Sequence, residues 1–231
     1  MNFDVNQIAF TASVWILPVL LAVTLHEASH GWVAWRLGDD TAFRLGRVSF
    51  NPLKHIDPFG TILLPALMLL GSGGRFMFGY AKPVPVNFNG LGRPRRDMVL
   101  VAAAGPASNV ALALISAILL HTLGLFEGSL REWVTYNLVN SVHINLLLCV
   151  FNMLPLPPLD GGRVAVGLLP APLACRLARL ERVGMLILLG VMFVLPMLGD
   201  QIGVDLNVFW WLVGIPTSHL MDLVFTLVGI R

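Results

Sequence analysis

His26, Glu27 and His30 belong to an H-E-x-x-H pentad, His26-Glu27-Ala28-Ser29-His30, at the end of the first long apolar run of the chain. On a helix, residues four apart share a face, so the two imidazoles can offer nitrogens to one zinc ion while Glu27 sits beside the metal as a general base. In an arbitrary soluble chain the same residues are more often two part-buried histidines near a solvated glutamate. Here the preceding run can span a membrane, where ionisable groups are costly unless paired or liganded and so mark functional sites. Hydrolytic zinc sites take three protein ligands and keep a further position open, so a third ligand is required. The best candidate is Asp160, in Asn152-Met-Leu-Pro155-Leu-Pro157-Pro158-Leu-Asp160-Gly161-Gly162, where prolines end one helix and the aspartate begins a new segment. Taken alone, Asp160 reads equally well as the N-cap of a helix over 161–169.

Composition assigns the elements that must position these residues. Of 231 residues, 56% are hydrophobic and only 12% charged, with a mean hydropathy of +0.78. That excludes an ordinary soluble domain and predicts an integral membrane protein. The first run lacks a basic leading region and a small-residue cleavage pattern, and it continues into the pentad, so it reads as a retained helix. Cys149 lies in an apolar segment and Cys175 beside arginines, which makes neither a disulfide framework nor metal ligands. Runs over 8–37, 98–123, 133–154, 183–198 and 206–230 are long enough, or nearly so, for a hydrocarbon core that takes about 20 helical residues to cross. The run over 61–70 is too short. Flanked by Pro58-Phe59-Gly60 and Gly71-Ser72-Gly73-Gly74, it reads as one arm of a re-entrant hairpin, with the return arm over 75–86, where Phe76, Phe78 and Tyr80 alternate as in an extended strand. The predicted fold is an all-α membrane protein with about five transmembrane helices plus a re-entrant hairpin, with short extended segments on the cytoplasmic side. It forms one domain over 1–231, with a core at 8–169 carrying the zinc site and two accessory helices in 170–231.

The net charge of +2 says little by itself; its distribution says more. With the hairpin re-entrant, Arg36, Arg44, Arg47, Lys54, Lys82, Arg93, Arg95, Arg96, Arg163, Arg176, Arg179, Arg182 and Arg231 fall on one side and Arg131 on the other, which makes the basic side cytoplasmic. The N-terminus is then external and the C-terminus cytoplasmic. The first and third spanning helices both run inward, and they deliver His26, His30 and Asp160 to one depth.

Together these residues resemble the site-2 protease family of intramembrane zinc metallopeptidases. The resemblance covers 25–163 and rests on five motifs in order: the pentad, Asn51-Pro-Leu-Lys-His55-Ile-Asp-Pro58, Ala81-Lys82-Pro83-Val84-Pro85-Val86-Asn87, Gly105-Pro106-Ala-Ser-Asn109, and Asn152 through Gly162. It implies the compact bacterial or archaeal branch, with no room for an inserted PDZ domain or appended CBS domains. It also implies one zinc ion held by His26, His30 and Asp160, with Glu27 as the catalytic base and no covalent intermediate. Asn109 and Asn152 match family asparagines near the metal, where a neutral amide can donate to a developing oxyanion; ordinary helix–helix hydrogen bonding is the plainer alternative for both. Pro83, Val84, Pro85 and Val86 resemble the family's substrate-contacting edge, since prolines hold a chain extended and leave carbonyls to pair with an unwound substrate. The implied partners are a transmembrane protein substrate, either single-span or its pre-cleaved remnant, and the lipid bilayer, with no nucleic acid. The implied location is the cell membrane.

His55, on the loop entering the hairpin, reads as a solvated histidine rather than a ligand. Trp32, Trp35, Trp133, Trp210 and Trp211 fall toward helix ends, as in an aromatic belt. From the residues alone two other readings stay open: a membrane zinc peptidase whose site faces the cytosol, and a metal transporter or inactive scaffold. A downstream helical glutamate would mark the first, and polar groups through the whole membrane thickness would mark the transporter.

Overall fold

The computed structural model describes residues 5–71 and 79–230, and every regular element among them is helical. The first helix, α1 (Val5–Arg36), contains the first apolar run up to Arg36, pentad included. It stops at Gly38, whose φ of +113° lies in the left-handed region, while the Asp39 N–H returns to the Ala34 carbonyl at 3.0 Å. Glycine adopts that conformation without the clash a Cβ would bring. A short α2 (Thr41–Arg44) follows, then a π-helical turn Pro58–Leu63 that runs into α3 (Leu64–Gly71). The next helix, α4 (Pro94–Leu119), opens on a proline, which is preorganised for that position, and a 3₁₀ turn extends it to Leu125. After α5 (Gly128–Asn152) come α6 (Asp160–Leu168), α7 (Ala171–Arg179), and α8 (Glu181–Leu189), which continues through a π turn into α9 (Leu195–Ile202). A π turn at Trp210–Gly214 leads into the last helix, α10 (Ile215–Leu227).

Among the described residues, four stretches are long and apolar enough to cross a membrane: Ala9–Arg36, Pro94–Leu125, Gly128–Asn152 and Glu181–Ile202. The sequence reading expects about five. The fifth expected span, over 206–230, is helical at its centre but carries Thr217, Ser218, His219 and Asp222 in α10 and is not among the four. Residues 72–78, which hold the start of the expected return arm, lie outside the described residues. The described remainder, 79–87, runs without regular secondary structure and forms no strand. The segment between α1 and α4 leaves and returns at the same end of that helix pair, because Gly92 donates to the Leu37 carbonyl at 3.0 Å and Arg36 and Arg93 line one pocket.

The core lies where α1, α4 and α5 pack on one another, with α6 against α4 and α10 against α5. Small residues make these contacts: Ala22, Ala34, Ala113 and Ala117 are fully buried, so the backbones come close where lipid gives no net hydrophobic drive between helices. Buried polar pairs add to them, with Ser116 and Ser141 hydroxyls 2.7 Å apart and Asn140 donating to the Val14 carbonyl at 3.0 Å. Large apolar residues such as Ile16, Leu21, Ile115 and Ile118 face outward, the arrangement a lipid-facing surface requires.

Candidate metal centre

His26 and His30 sit one turn apart on α1, both buried, with their rings edge-to-face. Their Nε2 atoms are 3.0 Å apart. Asp160 Oδ2 lies 3.1 Å from the Nε2 of His26 and 3.4 Å from that of His30. A tetrahedral ion with ligand bonds of about 2.0–2.1 Å keeps its ligands roughly 3.3 Å apart, so the three atoms already stand at the spacing of a shared cation.

The opposite ring edges explain which nitrogens are free. His30 Nδ1 is 2.7 Å from the Val101 carbonyl, which can only accept, so Nδ1 carries the proton and donates. His26 Nδ1 is 2.6 Å from Asn109 Oδ1. Asn109 has no other orientation open, because its amide nitrogen donates to the Ala22 carbonyl at 3.3 Å and to Asn145 Oδ1 at 2.8 Å. Both neutral imidazoles therefore turn an Nε2 lone pair toward the carboxylate, as metal-binding histidines do when an outer partner fixes their tautomer. Asp160 Oδ2 is buried without a hydrogen-bond partner. Two lone pairs and an unpartnered carboxylate oxygen, converging with no proton among them, make a group that could hold a cation.

The chain supplies this convergence by local means. After α5, Met153 and Leu154 close a turn and the prolines carry the backbone to α6, where Asp160 is the first helical residue. Leu159 is the N-cap and no side chain caps the helix, so the N-cap reading of Asp160 does not hold. Gly161 and Gly162 let α6 pack directly on that turn, since a Cβ on either would meet the backbone of 153–157. Across the site, a Cβ on Gly105 would stand 2.5 Å from His30 Nε2 and 2.6 Å from His26 Nε2. Only glycine leaves α4 this close to the two imidazoles.

Glu27 is not one of the three converging donors; its Oε2 accepts the Val84 N–H at 2.8 Å. Val84 belongs to a segment anchored elsewhere: buried Arg47 donates from Nη2 to the Lys82 carbonyl at 2.7 Å and to that of Pro83 at 3.5 Å, and Lys82 N–H donates to the His55 carbonyl at 2.9 Å. His26, Glu27, His30 and Asp160 open onto a cavity of about 410 Å³ whose walls include Val23, Leu148, Phe151, Met185 and Leu188. Asn152, Pro83, Val84 and Val86 also line it, and Pro85 does not. Asn109 is placed differently from an oxyanion donor. It is fully buried behind His26, does not line the cavity, and has both amide hydrogens committed. His55 is not the solvated histidine of the sequence reading but is buried, with Nε2 donating to the Ser49 carbonyl at 2.9 Å.

Sequence reasoning missed Val101, Gly105, Asn145, Arg47 and the Val84 amide as parts of the site. Asn145 left a signal, being a polar residue inside an apolar helix. The Val101 carbonyl and Val84 N–H left none, because every residue has the first and every residue but proline the second.

Comparison with known proteins agrees with this chemistry. The chain is 39% identical over 190 residues, 79% of its length, to "Putative zinc metalloprotease YwhC" of Bacillus subtilis, of which the match covers 80%. It is 30% identical over 142 residues, 62% of its length, to "Putative zinc metalloprotease Rip2" of Mycolicibacterium smegmatis, where it spans 52% of that protein. A shorter stretch of 64 residues, 28% of the chain, is 48% identical to "Putative zinc metalloprotease MJ0611" of Methanocaldococcus jannaschii and covers 31% of it. No protein-family profile matches the chain. No solved structure matches it either.

Proposed function

The chain belongs to the zinc metalloprotease family that includes YwhC, and from that premise we propose that it is an intramembrane zinc metalloendopeptidase of the site-2 type, cutting peptide bonds in or near transmembrane segments. One observation carries the reading: two imidazole nitrogens and a buried carboxylate oxygen stand 3.0, 3.1 and 3.4 Å apart, with the histidines on a helix apolar enough to span a membrane. Zinc held by His26, His30 and Asp160 supplies, when bound, Lewis-acid polarisation of the scissile carbonyl and activation of water.

The chain's own groups do the rest. Glu27 takes the proton of the attacking water and returns it to the leaving amine, the work of a general base. Its Oε2 is steadied by the Val84 N–H, which leaves the other oxygen for the proton. Asn152, on the cavity wall, offers its amide to the carbonyl oxygen as charge develops there. Asn109 acts one layer back, as a positioning residue that holds His26 in the ligating tautomer. The apolar walls exclude water and take the side chains of a transmembrane segment. Among the described residues no hydrogen bond uses the Val84 carbonyl or the Val86 N–H, so these remain to pair with a substrate held along Pro83 to Val86. The substrate is a single-span membrane protein or its pre-cleaved remnant, cut in the course of regulated intramembrane proteolysis.

The test is to incubate purified, zinc-loaded protein with a panel of single-span membrane proteins and with soluble peptides, with and without a chelator. Cleavage inside the transmembrane segments, lost on chelation and restored by zinc, is expected. Cleavage of the soluble peptides alone would favour the cytosol-facing peptidase instead. The orientation proposed for the chain, with its N-terminus outside the cell membrane, predicts that cysteines beside Arg47, Arg95 and Arg179 are labelled from the cytoplasm. Labelling beside Arg95 from outside would overturn it.

A further inference from the structure

We propose that the pocket between the end of α1 and the start of α4 binds the phosphate-bearing headgroup of an anionic phospholipid. The pocket measures about 560 Å³ and is lined by Arg36, Arg93 and Arg96, with Gly38 and Gly92 between them leaving it open. Four arginines elsewhere are engaged: Arg44 pairs with Asp40, Arg163 with Glu181, and Arg47 and Arg95 donate to carbonyls. The three in the pocket are exposed, and among the described residues none reaches a carboxylate. Asp97, the acid in the wall, is buried and already accepts the Arg93 N–H at 2.7 Å. Arg36, Arg93 and Arg96 put three positively charged residues on the wall of one concavity, and a bound anion offsets that like charge.

The same surface points to the bilayer as the source of the anion. The pocket is bounded by the ends of two helices apolar enough to cross a membrane, Ala9–Arg36 and Pro94–Leu125, and so lies where headgroups lie. Basic pockets between such helices are recognised lipid sites. The Arg36 guanidinium stacks 5.3 Å from the Trp32 ring centre and 5.7 Å from that of Trp35, and both indoles are exposed, as interfacial anchors are. Leu100, exposed on α4 and part of the pocket wall, gives an acyl chain a path down from the headgroup. The pocket shares no residue with the metal centre, so this inference stands independently of the peptidase reading.

Native mass spectrometry of the full chain in mixed micelles of phosphatidylglycerol and phosphatidylcholine tests it. Wild-type protein is expected to retain phosphatidylglycerol at least tenfold over phosphatidylcholine, since each basic residue near an anionic surface contributes about fivefold. R36Q/R93Q/R96Q should bring the two lipids close to parity. R176Q/R179Q, exposed basic residues on α7, should leave the preference unchanged. Should the triple variant fail to fold, R93Q and R96Q alone carry the same expectation, at a loss of several-fold each. Three results would overturn the proposal: equal lipid preference in wild type and the R93Q and R96Q variants, equal loss in the α7 control, or displacement of the lipid by millimolar inorganic phosphate, which would mark a site for a free anion.

Discussion

His26 and Glu27 are consecutive in the chain, yet opposite parts of the molecule hold their side chains. The His26 ring is fixed by packed helices, through Asn109 on α4 and Asn145 on α5. The Glu27 carboxylate rests on one backbone N–H of an extended segment, itself tied by Arg47 and the His55 carbonyl. The metal side is a rigid cradle with every outer nitrogen satisfied, whereas the proton-handling side depends on a loop. On the proposed function, the difference makes metal binding and catalysis separable, although the pentad writes them as one motif.

The strongest way to break that separation is at the pentad itself. Glu27→Gln is expected to lower cleavage by about 10³-fold or more, within the range for losing a general base, with zinc content unchanged. His26→Ala or Asp160→Asn should abolish cleavage and remove the zinc as well. Metal analysis beside an activity assay decides the matter. A Glu27→Gln protein that loses its zinc would mean the glutamate belongs to the cradle and the two sides are one.

A finer cut falls inside the cradle. Asn109→Ala deprives His26 Nδ1 of its acceptor and leaves Asn145 Oδ1 without its donor. Outer-shell changes of this kind cost about 10–100-fold in metal affinity. Zinc titration against a competing chelator should show that loss, while cleavage at saturating zinc recovers most of its rate. An oxyanion donor would behave the other way, with affinity intact and rate reduced, and that outcome would return Asn109 to the role its motif implies.

The sequence exposes these two sides unequally. Uninterrupted apolar runs and the four-residue spacing of His26 and His30 are strong signals, so the expected spans over 8–37, 98–123, 133–154 and 183–198 lie close to the four that the helices form. Asp160 stands out in the sequence because prolines precede it and few other acids compete, and the structure places it beside the two histidines. The last expected span, over 206–230, stands apart from those four because its apolar residues flank a polar centre at Thr217, Ser218, His219 and Asp222, and counting hydrophobes weighs the flanks. What stayed hidden works through the backbone or through space: the Val101 carbonyl behind His30, the close approach that requires Gly105, and the Val84 amide beneath Glu27.

The smallest expected effect lies on the loop side, and it sharpens the comparison most. A substrate that arrives as a helix hides its carbonyls in internal hydrogen bonds, so it must unwind before one can reach the metal. An extended segment with spare backbone groups lowers that barrier by pairing with the opened chain. Placing Gly or Pro near the scissile bond should therefore raise cleavage several-fold, since each weakens a helix by about 1 and 3 kcal/mol respectively, and a run of Leu and Ala there should lower it. Replacing Val86 with Asp on the cavity wall should slow cleavage of the helical substrate more than that of the Gly-containing one, with zinc content and the Glu27→Gln contrast unaltered. Equal slowing of both substrates would mean the segment serves only to steady Glu27, and equal rates for helix-stabilised and helix-broken substrates would mean that unwinding is no barrier at all.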